Sequence, residues 1–522
     1  MTEDRQLQES RSRRSRHYRG RRRRESRIVK PENNGSESLE QSTQTKTKKR
    51  IKSPALYGFT LLLSLLLTVF SVANPFLNDL ANNLQSQTLY AGMAMHQGQA
   101  PYLNFIGVDG VLYYIITYLG TFLSSSLGFA ILQTLFLWVS GIYLSKIVYY
   151  LTKSSYLSRN YTAWFYALIF VFAWGGLAAS IFVLPLLLAS IWFLVRYFQD
   201  DLADEQFILF GIYLALGCFI SPNTFLFWLI AVLVLWVYNF KHKRKARGFY
   251  QFLASLFGFL LVTYLLGYYI LDSQIVAFLL PQSIGYGFLA LTFDKATLLY
   301  SAGLLCLAFL ASGLARTLFD SISRFKSTEN RSLKIILILT IVFQFFFLLG
   351  NRYFELSQFV LLLPSGIVLM SLNHKKDSSV DESRLSYGKY HFYLPILACL
   401  LFFTWGVWSR VESLPLIMER NTIAETIIGQ RSRISALYAW DNNASIYLKT
   451  RSLSASRIIT AEPFLDVQEN KTVLDYNIGQ ANAAYLVINN NIPLSDGMKE
   501  VLKESYREVQ LETKNLTLYR KK

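Results

Sequence analysis

Ala55-Leu-Tyr-Gly-Phe-Thr-Leu-Leu-Leu-Ser-Leu-Leu-Leu-Thr-Val-Phe-Ser-Val-Ala73 is followed at once by Asn74-Pro75-Phe76-Leu77-Asn78-Asp79. Such a run, without a charge, is long enough to cross a bilayer as a helix, which takes about 20 apolar residues. Similar runs recur along the 522 residues, near 55–73, 127–150, 161–181, 183–198, 206–220, 224–240, 249–271, 296–317, 333–350, 355–372 and 391–408. They do not alternate polar and apolar residues as barrel strands would, so the backbone must satisfy its own hydrogen bonds as helices. The composition agrees: 52% of the residues are hydrophobic, 15% are aromatic and the mean hydropathy is +0.29. The expected fold is an all-α polytopic membrane protein of about eleven spans.

Charge sets the expected orientation. Residues 1–52 hold 17 Lys/Arg against 7 Asp/Glu, including Arg21 to Arg24, and supply +10 of the net +18. This tail has too few apolar residues to fold alone. It reads as a disordered cytoplasmic topology determinant, or as a segment binding anionic headgroups of the membrane lipids, in preference to nucleic acid. Further basic clusters follow at Lys146/Lys153/Arg159, Lys241 to Arg247, Arg324/Lys326/Arg331/Lys334 and His374 to Lys376. Their alternation with the runs puts the N-terminus inside and the C-terminus outside, in a plasma membrane. Two interrupted runs, 106–123 and 275–293, are expected to lie as juxtamembrane or re-entrant helices on the outer face. Segment 74–126 is then an outer juxtamembrane segment of the 53–408 membrane domain, and the charged loop 373–390 is a linker.

Residues 409–522 change character. Helical stretches (Leu414 to Gln430, Asp496 to Glu504) mix with strand-like ones at Ile434–Trp440, Ala484–Ile488 and Leu516–Tyr519. About 110 residues can support a core, so a small extracytoplasmic α/β domain is expected. Cys218, Cys306 and Cys399 all lie in apolar runs and read as packing residues. The five histidines are scattered, so no histidine-based metal site is expected.

Asp79 stands just beyond the first run and has two readings. It caps the helix-like stretch Leu80 to Met95, or it is a general base, as attack by a hydroxyl on a sugar held by a lipid phosphate requires. The departing phosphate needs a cation. Arg352, in Gly350-Asn351-Arg352-Tyr353-Phe354-Glu355, is the candidate; an interfacial snorkelling arginine is the alternative. Glu355 would pair with it, or bind a substrate hydroxyl or a divalent cation. Asp109, between Gly107 and Gly110, is either a ligand-facing acid or a turn residue. His96 and Tyr102 would line the same cleft.

The order of these features resembles the GT-C membrane glycosyltransferases, in particular bacterial relatives of the protein mannosyltransferases and of the lipid A aminoarabinose transferase. The likeness lies in Asp79 after the first run, Tyr90-Ala91-Gly92, Gly98-Gln99-Ala100-Pro101-Tyr102 and the turn into Leu112-Tyr113-Tyr114. Asn351-Arg352-Tyr353-Phe354 with Pro364 resembles their late arginine segment, and Ser445-Ile446-Tyr447-Leu448 with Ser454-Ala455-Ser456-Arg457 their outer-domain element. Asn78-Asp79 stands where many relatives have an acidic pair, and Asp109-Gly110 where Gly-Pro or His-Pro is usual. The resemblance implies an inverting glycosyltransferase with Asp79 as base and Arg352 on the donor phosphate. Asp109, His96, Tyr102, Tyr353 and Glu355 would bind substrate. The donor would be a polyprenyl-phosphate sugar, and the acceptor a cell-surface glycan, lipid or protein. A nucleotide-sugar donor is disfavoured because no soluble Rossmann-like domain or glycine-rich loop is present. A non-enzymatic translocator or assembly protein for surface polysaccharide is the rival, and the near-absence of charge within the runs counts against it.

Overall fold

The computed structural model describes residues 56–122, 126–174, 176–199, 202–323, 325, 330–374, 393–430, 436–465, 467–480 and 483–522. The basic tail and most of the 373–390 linker lie outside the described residues. Residues 53–522 form one compact unit.

Among the described residues, eight helices are long and apolar enough to cross a membrane. In chain order the helices are α1 (Tyr57–Val69), α2 (Asn83–His96), α3 (Val111–Gly120), α4 (Leu127–Thr152), α5 (Ser155–Phe172), α6 (Ala179–Tyr197), α7 (Phe207–Ile220) and α8 (Phe225–Lys241). They continue with α9 (Lys245–Asp272), α10 (Val276–Leu279, running into a π-helical turn Leu280–Tyr286), α11 (Lys295–Ser312), α12 (Leu314–Ser323), α13 (Arg331–Gly350), α14 (Leu363–Asn373, preceded by a 3₁₀ turn Leu356–Leu362) and α15 (Tyr393–Gly429). The sequence reading of eleven spans thus exceeds the eight by three runs. Run 55–73 yields the 13-residue α1, about 20 Å long at 1.5 Å per residue. Run 206–220 gives the 14-residue α7, bounded by a 3₁₀ turn Asp204–Gln206 before it and by Ser221-Pro222 after it. Run 161–181 becomes α5, whose first turns carry Ser155, Arg159 and Asn160. Runs 106–123 and 275–293 contribute only the ten-residue α3 and the short α10 with its π turn.

Burial sorts the helices. α6 is apolar on every side and is the innermost, with 83% of its most apolar window buried; α9 has 28%. An all-round apolar helix has to be enclosed, whereas the exposed side chains of α9, such as Phe257, Tyr264 and Leu265, face lipid. α7 and α9 approach through small residues. A Cβ at Gly211 or Gly258 would strike the carbonyl oxygen of Ser255 or Ile208 on the opposite helix. Close backbone approach of this kind replaces the hydrophobic drive that lipid cannot provide.

α15 is 37 residues long and does not stop at 408. It carries the chain straight from the bundle to a four-stranded sheet of order β1-β2-β4-β3, made of β1 (Leu437–Trp440), β2 (Tyr485–Asn489), β3 (Tyr506–Val509) and β4 (Leu516–Lys521). β1 and β2 run parallel, in register Leu437 to Tyr485; the other pairs are antiparallel. Parallel pairing requires a crossover, which α16 (Ser445–Thr450) and α17 (Gln468–Gly479) supply; α18 (Asp496–Ser505) joins β2 to β3. The period-2 alternation divides two cores. Leu437, Ala439, Tyr485, Val487, Leu516 and Leu518 pack with Ile423 and Ile427 of α15 and Tyr90 of α2. Tyr438, Trp440, Leu486 and Ile488 pack with Leu474, Met498 and Leu502. Both faces are covered, so the sheet is a full three-layer α/β domain seated on the bundle.

Candidate active site

The segment 101–110 is shaped by its neighbours more than by its own propensities. Tyr102 is fully buried and takes a left-handed backbone at φ 65°. Its hydroxyl donates to the Asp109 carbonyl at 2.6 Å. Gln282, buried in the π turn, spans the segment: its Nε2 donates to the Tyr102 carbonyl at 2.8 Å and its Oε1 accepts from Gly107 N–H at 3.0 Å. Gly110 N–H donates to the Ile220 carbonyl at 3.0 Å. A Cβ at 110 would fall deep inside contact with the Phe219 carbonyl, so only glycine lets the segment reach the end of α7. Gly110→Ala is therefore expected to destabilise the protein by about 1–3 kcal/mol and to displace Asp109. Gly267→Ala on the open face of α9, where nothing lies within 4 Å, is the neutral control. Thermal unfolding of both variants in detergent is the check.

This anchoring sets Asp109 in the wall of a cavity of ≈ 540 Å³ between the bundle and the sheet domain. Three further charged side chains line it: Glu355, Arg410 and Arg420. Burial, and secondarily the negative charge of Glu355, push the Asp109 carboxyl up to about 7. Burial raises Glu355 as well, against a 3.1 Å hydrogen bond from Ser357 Oγ that lowers it. A carboxyl poised near neutrality is suited to taking a proton at physiological pH. Arg410, on α15, donates to the Gly406 carbonyl at 3.0 Å and the Trp174 carbonyl at 3.4 Å, with its guanidinium 4.6 Å from the Trp174 ring centroid. The aromatic face and the carbonyls hold the cation in place while guanidinium hydrogens remain to grip an oxyanion. Arg420 is already committed, pairing with Asp441 at 2.7 and 3.1 Å. Tyr300 and Leu304 of α11 and Phe402 and Trp405 of α15 make an apolar side of the same cavity.

The other predicted site residues stand elsewhere. Asp79 lies on a 3₁₀ turn, Pro75–Leu80, with its side chain 47% exposed and its Oδ1 2.6 Å from Lys449 Nζ of α16. It is not among the cavity-lining residues; the ion pair faces the sheet domain instead. The helix cap it was a candidate for belongs to Asn82, in a capping box with Gln85. Arg352 is exposed, with its N–H bonded to the Ala290 carbonyl at 2.8 Å, and does not line the cavity. Neither Asp79 nor Arg352 is among the residues that line this cavity. His96 Nε2 lies 2.9 Å from the Tyr118 carbonyl and its ring stacks on Tyr118, tying α2 to α3. Tyr353 packs edge-on to Phe464, whose centroid is 4.8 Å away, and with Tyr286 frames the rim where Phe464 enters the wall. Among the described residues no three His, Cys, Asp or Glu side chains gather as metal ligands. Arg410 was missed because it follows Trp408-Ser409 at the end of an apolar run, where an arginine usually reads as an interfacial anchor.

Residues 44–413 match the family described as putative competence-induced protein Ccs4 N-terminal domain, and 417–522 its Ccs4 C-terminal domain. The chain belongs to the Ccs4 family. The break between the Ccs4 domains falls inside α15, which joins bundle to sheet. No curated protein matches the Ccs4 chain. Among solved structures it is similar to ArnT from Cupriavidus metallidurans bound to undecaprenyl phosphate. That likeness has a TM-score of 0.55 and 10% identity, over 89% of this chain and 97% of that one. The apo state of the same protein gives 0.54 and 10%, over 89% and 98%. At this identity the likeness is one of fold alone.

Proposed function

We propose that this Ccs4 chain is a GT-C-type membrane glycosyltransferase that moves a sugar from a polyprenyl-phosphate carrier to a cell-surface glycan, lipid or protein on the outer face of the membrane. The observation that carries the reading is the single cavity lined by both a neutral-range acid, Asp109, and a held cation, Arg410. Asp109 replaces Asp79 in the role of base, and Arg410 replaces Arg352 in the role of phosphate holder. Asp109 takes the proton of the acceptor hydroxyl. The hydroxyl oxygen bonds to the anomeric carbon from the face opposite the leaving group, and the bond to the phosphate oxygen breaks. The electron pair leaves with the lipid phosphate, where Arg410 offsets the charge. Glu355 holds a sugar hydroxyl and raises the Asp109 carboxyl into the working range. The polyprenyl chain lies along Tyr300, Leu304, Phe402 and Trp405. The ArnT structure that holds undecaprenyl phosphate supports a lipid of this class.

The test has two arms. A strain lacking the protein is compared with its parent by compositional analysis of surface glycans, and loss of a sugar is expected. Purified protein is titrated with undecaprenyl phosphate, and Arg410→Gln is expected to weaken binding about tenfold or more, the scale of a lost charge-assisted hydrogen bond. Unchanged glycans with no lipid binding would remove the proposal.

A further inference from the structure

Asp109 is tied through its carbonyl to the Tyr102 hydroxyl, and the resemblance to an outer-domain element left Arg457 without a stated task. The two facts meet at Tyr102. Its carbonyl accepts two donors from different parts of the protein: Gln282 Nε2 at 2.8 Å from the π turn and Arg457 Nη2 at 2.7 Å from the sheet domain. The Arg457 carbonyl in turn accepts from Ile106 N–H at 3.1 Å, and its guanidinium lies 4.7 Å from the Phe278 ring centroid. Tyr102 sits in a backbone region that a non-glycine residue keeps only when its surroundings over-determine it. From there its hydroxyl reaches the Asp109 carbonyl. Neither Tyr102 nor Arg457 is among the residues lining the cavity. We propose, on the basis of the transfer reading above, that Arg457 and Tyr102 are positioning residues: the sheet domain, by gripping the strained Tyr102 peptide, holds Asp109 in the cavity wall. The sheet domain then completes the site in addition to covering it, and its undocking would disarm the base without any substrate contact being touched.

The test follows Asp109 itself. Full-length protein in lipid nanodiscs is labelled with a water-soluble carbodiimide and an amine from pH 5 to 9, and Asp109 modification is read by peptide mass spectrometry. Glu355, before the 3₁₀ turn, is the charge that acts on Asp109, and Asp109 acts in turn on Tyr102 and, on α3, on Tyr113 and Tyr114; of these only Tyr102 is altered. Tyr102→Phe keeps the ring and removes the one hydroxyl. Asp109 then moves toward water, and its labelling midpoint is expected to fall by about one pH unit toward the ordinary carboxylate range. Arg457→Gln is expected to move it the same way, and Arg457→Lys, which keeps the charge but not the planar fork, by less. The Tyr102→Phe/Arg457→Gln pair should shift no further than Tyr102→Phe alone, since both act through one path. An unchanged midpoint in Tyr102→Phe would overturn the proposal, as would additive shifts in the pair. If Arg457→Gln does not give a monodisperse protein, Arg457→Lys carries that arm, and no shift there counts against it. No sugar, lipid or acceptor enters the measurement, so its failure is separate from failure of the transfer reading.

Discussion

A strain carrying Asp109→Asn at normal protein level is expected to lose the same surface sugar as a deletion strain, with transfer reduced about 10²- to 10⁴-fold, the usual worth of a positioned base. The amide keeps the side chain's size and its place beside Glu355 but has no site for the proton. Asp79→Asn is expected to leave the glycans close to normal. Asp79 is ion-paired with Lys449 and half exposed, and such pairs contribute about 0–1 kcal/mol. The pH dependence carries a sign. The ordinary aspartic carboxyl titrates near 4, while Asp109 is raised to about 7 by burial and by Glu355. The ionised, proton-accepting form is therefore the minority below that value, and the transfer rate should rise with pH as it crosses about 7. Glu355→Gln removes the second cause and should move this limb to lower pH. The same shift opposes folding: Asp109 contributes most to stability when protonated, and that contribution is lost as pH rises through its folded value. A rate that falls with rising pH across this range, or one indifferent to Asp109→Asn, would rule out the assignment.

Removing Arg420 alone should destabilise the protein by about 3–5 kcal/mol, the cost of leaving one partner of a buried ion pair uncompensated. Arg420 and Asp441 are 6% and 2% exposed, and their bidentate contact ties α15 to the end of β1. Asn489 Nδ2 at 2.8 Å and the Asn442 N–H at 2.8 Å fill the remaining capacity of Asp441. Arg420→Met leaves that carboxylate buried without its countercharge. Asp441→Asn strands the guanidinium in the same way. The double variant removes both charges and should recover most of the loss, because replacing a whole buried pair by neutral groups is often close to neutral. Denaturant unfolding of the three variants in detergent separates this from simple additivity. Limited proteolysis should show the sheet domain opening first in the single variants.

The apolar runs were legible because lipid leaves the backbone one choice, and their order predicted a polytopic helical fold with a mixed domain at the C-terminus. Three of the four strands were readable from β-branched and aromatic alternation. β3, Tyr506-Arg-Glu-Val509, was not, since its two middle residues are charged and exposed, and it is held by pairing with β4. Among the described residues the first run is helical over Tyr57–Val69. Spacing along the chain also favoured Asp79 over Asp109, because nearness to a span end is visible in sequence and burial is not.

What the residues alone determined, then, is which segments leave water: each apolar run must be covered by lipid or protein whatever its neighbours are. Which acid lines the cavity was decided only when distant segments met. Gly110 against Phe219, Gln282 across Tyr102 and Gly107, and Arg457 on the Tyr102 carbonyl together set Asp109 beside Glu355 and in one cavity with Arg410. The gap between 102 and 457 is 355 residues, and no local propensity spans it. A carboxyl group's basicity depends on the charges and water around it in space, so the chemistry of this chain is a property of its tertiary contacts.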